Sequence, residues 1–215
     1  TKELGFISGW RREVQHVKSK DINTATYPVS NTSDSKNHAA SAFDLAFNYV
    51  YEAGQKIYTR INNSYRFANI DEYWATNSDW TGRIFTGILR PQKGRSYEVG
   101  TENSLINSAK FNLAIYQLNT VDEIRYDASQ QLKNINSDPI QRLGLLAGLK
   151  LNTFSNLSSS TNLQLINSRY QSGVYQDKRV SLSPNILINQ TFTYTESGNR
   201  SYFFGVNYVG AQYYD

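Results

Sequence analysis

Stretches of alternating, β-type sequence in this chain are joined by connections that take turns at being long and short. Residues 42–52, 55–67, 108–118, 141–152 and 201–209 read as strands, and 3–18, 95–102, 157–170 and 185–194 complete a set of about nine. Long gaps at 21–41, 68–93, 127–138 and 171–179 alternate with short ones at 53–54, 102–106, 153–156 and 195–200. In an up-and-down meander this puts every long loop at one end of the sheet and every tight turn at the other. Membrane-spanning barrels have that asymmetry, since their two ends face different compartments. A soluble sandwich has no physical reason to sort its connections. The expected fold class is all-β: an antiparallel up-and-down transmembrane β-barrel segment of about nine strands, part of a larger barrel.

Alternation within the strands tells the two faces apart. In 42–52, Phe43, Leu45, Phe47, Tyr49 and Tyr51 share one side, and Asp44, Ala46, Asn48, Val50 and Glu52 share the other. In 141–152, Leu143, Leu145, Ala147, Leu149 and Leu151 oppose Arg142, Gly144, Leu146, Gly148, Lys150 and Asn152. Phe111, Leu113 and Ile115 likewise oppose Lys110, Asn112 and Ala114. A charge at the bilayer midplane costs about 2–4 kcal/mol, so the first set of each strand is assigned to lipid and the second to a wet lumen. Exceptions exist. Asn63 shares the face of Ile57, Thr59, Ile61 and Tyr65, Gln190 sits among Ile186, Ile188, Phe192 and Tyr194, and 201–209 is apolar in places on both faces.

Composition agrees. Only 39% of the 215 residues are hydrophobic, and no window approaches the 18 consecutive apolar residues of a membrane helix. Barrel strands need only about 9–11 residues with alternate positions apolar. An aromatic content of 13%, with 16 tyrosines, fits interfacial girdles; cross-strand packing would use aromatics too. The absence of cysteine excludes a disulfide framework or a thiolate metal site. The net charge of +4 is spread in mixed-sign clusters, with no basic run interleaved with aromatics, so no nucleic-acid partner is expected. Thr1 does not read as the start of a signal peptide, since no basic start and apolar stretch lead to a cleavage site. Residues 1–215 read as a partial β-barrel domain with both ends lying inside something longer.

Catalysis finds no support. His16 and His38 are the only histidines, and no HExxH, GxSxG or P-loop spacing occurs. Asp71-Glu72 and Asp122-Glu123 are adjacent carboxylates that point to opposite faces of an extended chain, so they read as solvated charge. Gly144 and Gly148 lie in a strand and read as lumen clearance. No enzyme and no cofactor are expected.

Several strings resemble TonB-dependent outer-membrane receptors. They are Tyr65-Arg66-Phe67-Ala68-Asn69-Ile70-Asp71-Glu72, then Leu89-Arg90-Pro91-Gln92 running on through Gly94-Arg95-Ser96-Tyr97-Glu98-Val99-Gly100. Asp122-Glu123-Ile124 follows, then Gly173-Val174-Tyr175-Gln176-Asp177-Lys178-Arg179-Val180-Ser181-Leu182-Ser183-Pro184, and last Tyr208-Val209-Gly210-Ala211-Gln212-Tyr213-Tyr214-Asp215. Their order and spacing match over residues 64–215, while the first 60 match only in style. The resemblance implies a fragment from the second half of a barrel, with the plug domain, the TonB box, the early strands and the terminal aromatic strand outside it. Long loops would then face the exterior and tight turns the periplasm.

That resemblance implies energised uptake of a ferric siderophore or related metal chelate across the outer membrane. Outer-membrane lipid and TonB, the latter reached through the N-terminal region, are the other implied partners. Bulky, anionic, oxygen-rich cargo suits cationic and aromatic loop residues through charge-assisted hydrogen bonds and stacking. The ligand-binding candidates are Tyr73, Trp74, Trp80 and Arg83, with Tyr175 and Arg179 in the later loop; the tryptophans have the alternative role of interfacial anchors. Arg66, Glu98, Arg142 and Lys150 are expected to face the lumen and make salt bridges there. Two other functions fit parts of the pattern. A passive porin-like channel would fold 68–93 inward as a constriction, and a secreted β-rich adhesin would have no lipid belt. With neither end closed, the fragment is expected not to form a stable barrel by itself.

Overall fold

The structure, a computed structural model, describes residues 2–20, 33–76, 83–105, 108–127, 133–196 and 200–213. In chain order its strands are β1 (Glu3–Lys20), β2 (Ser33–Glu52), β3 (Gln55–Arg66), β4 (Trp74–Thr76), β5 (Arg83–Phe85), β6 (Gln92–Leu105) and β7 (Ala109–Val121). Then come β8 (Ile124–Asp127), β9 (Lys133–Asn136), β10 (Ile140–Phe154), β11 (Leu157–Tyr170), β12 (Ile186–Glu196) and β13 (Arg200–Val209). Nine of them form one sheet in the order β1-β2-β3-β6-β7-β10-β11-β12-β13, every neighbour antiparallel. These are the nine strands expected from the alternation. The remaining four pair as β4–β5 and β8–β9, small hairpins inside the connections between β3 and β6 and between β7 and β10. The long connections among the described residues, after β3, β7 and β11, emerge at one end of the sheet.

Register carries the alternation across the whole sheet. One hydrogen-bonded row runs Phe6, Phe47, Thr59, Val99, Ile115, Leu145, Leu165, Ile186. The next runs Asn48, Tyr58, Gly100, Ala114, Leu146, Gln164, Leu187 on the other face. The apolar rows have no second layer of protein over them: Phe47 is 57% and Ile115 56% exposed. A chain that leaves such a continuous apolar surface uncovered needs another apolar phase to cover it. The band also slides along the sheet. It is centred on Phe47 in β2, yet in β12 it is centred near Gln190, beyond the Ile186 that shares Phe47's row. The strands therefore cross the band obliquely, the tilt that barrel closure requires.

The exceptions on the apolar face have local causes. Asn63 turns its amide into the ladder, accepting from the Phe43 N–H at 2.6 Å and donating to the Ser41 carbonyl at 3.1 Å, where the β2–β3 pairing ends. Gln190 and the facing Thr161 hydrogen-bond to each other, so neither polar group is left bare. On the polar face, Gly100 and Gly144 leave the space that the rings of Tyr58 and Tyr116 fill; an added Cβ would come within 2.7 and 2.3 Å of those rings.

Two expectations are corrected. β2 begins at Ser33 rather than at 42, pairing with β1 up to Lys20; its outer part is polar on both faces, so it gives no alternation signal. The connection read at 68–93 ends at Pro91, since β6 begins at Gln92, and it holds a 3-10 turn at Ile70–Tyr73 and the β4–β5 pair. β1 and β13 sit at the two ends of the sheet order, leaving the sheet open.

Candidate functional site

The long connections carry the only hydrophobic cluster of buried residues among those described: Ala68, Tyr73, Ile88 and Ile124, with Val17, Trp74, Phe85 and Leu89 packed against it. This core is small, but it joins three separate stretches of chain. Around it, a set of ion pairs ties each connection to its strand and to its neighbour.

The first tie starts at Arg66, the last residue of β3. Its guanidinium donates to both oxygens of Glu72, at 3.0 and 2.8 Å, while the same carboxylate accepts the Asn69 N–H at 2.7 Å. Glu72 thereby caps the 3-10 turn and fixes its angle to the strand. The turn delivers Tyr73 into the core, only 3% exposed, with its hydroxyl 3.4 Å from the Ala68 carbonyl. Burial, and then the neighbouring Glu72 charge, push the Tyr73 phenol pKa up. Trp74 meets Phe85 edge-to-face at 5.5 Å across the β4–β5 hairpin.

The second tie is the richest. Glu123 accepts from Arg142 at 2.7 and 2.8 Å and from Arg125 at 3.3 Å. Arg125 in turn donates to the carbonyl and hydroxyl oxygens of Ser181, both at 2.9 Å. Arg90 binds Asp122 at 2.6 and 2.9 Å, and Asn136 bonds the Arg90 backbone on both sides and the Asp122 carbonyl. Asp122 holds the Arg90 guanidinium still more firmly protonated than usual. Gln171 N–H donates to the Pro139 carbonyl at 2.8 Å, and Ser168 pairs with Ser183 at 2.8 Å. The described parts of connections 67–91, 122–139 and 171–185 are therefore one cross-tied body.

The expectation of solvated charge fails for Glu72 and Glu123, whose side chains are 18% and 13% exposed. A positive φ of 55° at Asp122 breaks the extended geometry assumed for the pair and lets both carboxylates find arginines. Alternation alone could not find the partners Arg66, Arg142 and Arg90, which lie 6 to 32 positions away along the chain. The usable signal was the recurring strings themselves: each places its charged or apolar residues at the base of a long connection.

The candidate residues fall into groups. Tyr73 and Trp74 are spent on packing inside the connection. Trp80 lies outside the described residues, and Arg83 opens β5 opposite Thr76. Tyr175 is 44% exposed, its ring 5.8 Å from that of Tyr170. Arg179 is exposed, with its guanidinium 5.7 Å from the Tyr213 ring centroid. The four lumen candidates all lie on the polar face of the sheet by register. Glu98 accepts from the Tyr58 hydroxyl at 2.8 Å beside the Arg60–Asp44 pair. Lys150 stands directly opposite Lys110, with no ion partner for either among the described residues. Among those residues no His, Asp and Glu cluster is arranged to hold a metal ion.

A family model described as "TonB dependent receptor-like, beta-barrel" matches residues 1–215. Among solved structures, the ferric-catecholate import receptor Fiu from E. coli K12 superposes with a TM-score of 0.70 at 12% identity, covering 97% of this chain and 32% of that one. The ferric yersiniabactin uptake receptor FyuA from Yersinia pestis gives 0.69 at 16%, covering 100% and 32%. The copper transporter OprC gives 0.68 at 14%, covering 89% and 31%. The chain thus spans about a third of the length of these structures, which share its fold. No curated protein matches it in sequence.

Proposed function

This chain belongs to the TonB-dependent receptor β-barrel family, and we propose that it forms part of the wall of an outer-membrane receptor importing a ferric siderophore or related metal chelate with energy delivered through TonB. The observation that carries the reading is the sorted architecture. An apolar face extends across the nine strands, and the described parts of the connections after β3, β7 and β11, all at one end, are cross-tied beyond it. A porin-like channel would instead fold the β3–β6 connection inward. Here its core residues Tyr73 and Ile88 are spent on a core shared with Ile124 of the next connection. The adhesin reading leaves the exposed apolar rows without a covering phase.

Each side-chain set has a role in this proposal. The rows of Phe47 and Leu145 contact lipid, and the rows of Asn48, Glu98, Arg142 and Lys150 face the lumen. Tyr175 and Arg179 offer exposed aromatic and cationic surface to an anionic chelate. Tyr73, Trp74 and Arg66 support the loop body rather than the cargo. The cargoes of these neighbours, ferric catecholate, ferric yersiniabactin and copper, favour a metal or its chelate and do not choose among them.

The test is uptake by the full-length receptor in a host deleted for its own receptors, supplied with defined ferric siderophores, with and without TonB. TonB-dependent growth on at least one chelate is expected, weakened in the Y175A/R179A variant. Growth that persists without TonB would favour the passive channel.

A further inference from the structure

On the polar face, Lys110 of β7 and Lys150 of β10 stand directly opposite each other. Like charges in that position weaken an antiparallel pair, because the facing Cβ atoms lie only about 4.5–5.5 Å apart. Every other cation on that face of the sheet, among the described residues, holds a carboxylate. Lys56 holds Glu102 at 3.1 Å, Arg60 holds Asp44, and Arg142 holds Glu123. Arg11, Lys36 and Arg66 are paired in the same way. The two facing lysines are the exception.

The wall around them has no anion to offer. Strands β7, β10, β11, β12 and β13 contain a single carboxylate, Glu196, and register puts it on the outward face opposite Arg200. What the polar face carries instead is hydroxyls and amides. The lysine row continues through Ser104 on one side and through Ser160 and Thr191 on the other. In the next row, Asn112, Asn162, Asn189 and Asn207 flank Gly148, whose bare Cα leaves room for the Asn112 amide to lie across β10. Lys110, Lys150, Asn112 and Asn162 share a concavity of ≈ 500 Å³, and Glu102, at its edge, is already held by Lys56. Lys110 is the second residue of β7 and Lys150 lies near the close of β10, so the concavity sits at the end of the sheet with the tight turns.

We propose that Lys110 and Lys150 form an exit site for anionic cargo, a weak station on the lumen wall at the periplasmic end, where short turns lie. The two ammonium groups donate charge-assisted hydrogen bonds to oxygens of a negatively charged metal chelate. Nearby hydroxyls and amides replace part of its hydration, and the carboxylate-free wall adds no repulsion on the way. A station on a transport path must bind weakly enough to let go. Two exposed lysines on flexible stems meet that need, whereas the two-point arginine pairs of the connections hold a fixed partner. The inference rests on the uptake reading and narrows its cargo to chelates of net negative charge.

The test places the full-length receptor in cells lacking other receptors and supplies radio-iron in defined probes: ferric tris-catecholate and ferric citrate, both anionic, and an uncharged ferric tris-hydroxamate. Surface binding is read in cells without TonB and import in cells with it. K110Q/K150Q should bind an anionic chelate at the surface as the parent does and import it roughly tenfold more slowly. K110R/K150R should recover most of the rate, and K93Q, altered on the outward face, should import as the parent does. Unchanged surface binding and heat-modifiable migration assign the loss to the site and not to folding. Parental import by K110Q/K150Q would overturn the exit site and leave the uptake reading standing, and a parent that imports only the uncharged probe would do the same. Slowed import accompanied by new sensitivity to vancomycin would also overturn it, by showing that the lysines secure the plug domain. A parent that imports none of the probes would overturn the uptake reading itself.

Discussion

Arg142 on β10 and Glu123 at the base of the preceding connection meet in a two-point ion pair, 2.7 and 2.8 Å long. The same carboxylate holds Arg125, which reaches the next connection through Ser181. Glu123 is therefore the shared anion of two cations, and removing it strands both. Breaking a buried pair from one side costs about 3–5 kcal/mol. E123Q should open the loop body more than R142Q does. Limited proteolysis of the full-length receptor should cut within 122–139 and 171–185 in E123Q at protease levels the parent survives, with barrel migration unchanged. Equal resistance of both variants would show that the network does not hold the connections together.

Tyr73 supplies a second prediction, because its burial assigns it to the loop core and not to cargo. Its hydroxyl makes one long hydrogen bond, so Y73F should leave cargo affinity and loop protection nearly unchanged. Y73A should cost about 3 kcal/mol of local stability through the cavity it leaves. Cargo affinity that falls in Y73F as much as in Y73A would return Tyr73 to the ligand site.

The raised Tyr73 pKa adds a pH dependence to the same residue. A folded-state pKa above the unfolded value, about 10, gives stability that is complete below pH 10. That stability is lost as pH climbs through the raised value. Loop protection in the parent should therefore weaken only in strongly alkaline buffer, and Y73F should lack that weakening. A matching alkaline loss in Y73F would place its origin elsewhere.

Gly173 has φ of 82°, and an added Cβ would lie 1.9 Å from the Asp138 carboxylate. G173A combines left-handed strain of about 1–2 kcal/mol with displacement of Asp138. Proteolysis at 171–179 should accelerate severalfold, and cleavage within 67–76 should rise with it, because the connections are cross-tied. Cleavage confined to 171–179 would show that the connections open independently.

How much of this was legible beforehand depends on what constrains each residue. Strands such as β2 and β10 were readable because each face meets a different medium, which forbids charge at every second position from Phe43 to Tyr51 and from Leu143 to Leu151. Where β2 leaves that medium, from Ser33 to Ser41, nothing forces alternation and the strand was invisible. The hairpins β4–β5 and β8–β9 are too short to show a period. Asn63 and Gln190 looked like noise, and only the partners Phe43, Ser41 and Thr161 show that their polar atoms are used. The burial of Tyr73 was not legible, because an aromatic in a polar connection has the same sequence signature whether it stacks on cargo or fills a core. Glu123 was misread because its partner Arg142 is brought close by the return of the chain, not by local spacing.

The opposition of the Phe47 row to the Asn48 row is tested most directly by accessibility along a single strand. This stretch has no native cysteine, so spin labels placed singly from Phe43 to Val50 in a full-length receptor cleared of any cysteines elsewhere, reconstituted in bilayers, report each position cleanly. Oxygen, which partitions into lipid, should relax labels at 43, 45, 47 and 49, while a water-soluble nickel chelate should reach those at 44, 46, 48 and 50. A profile with no period of two, or one in which the nickel chelate reaches position 47 as readily as position 48, would contradict the account.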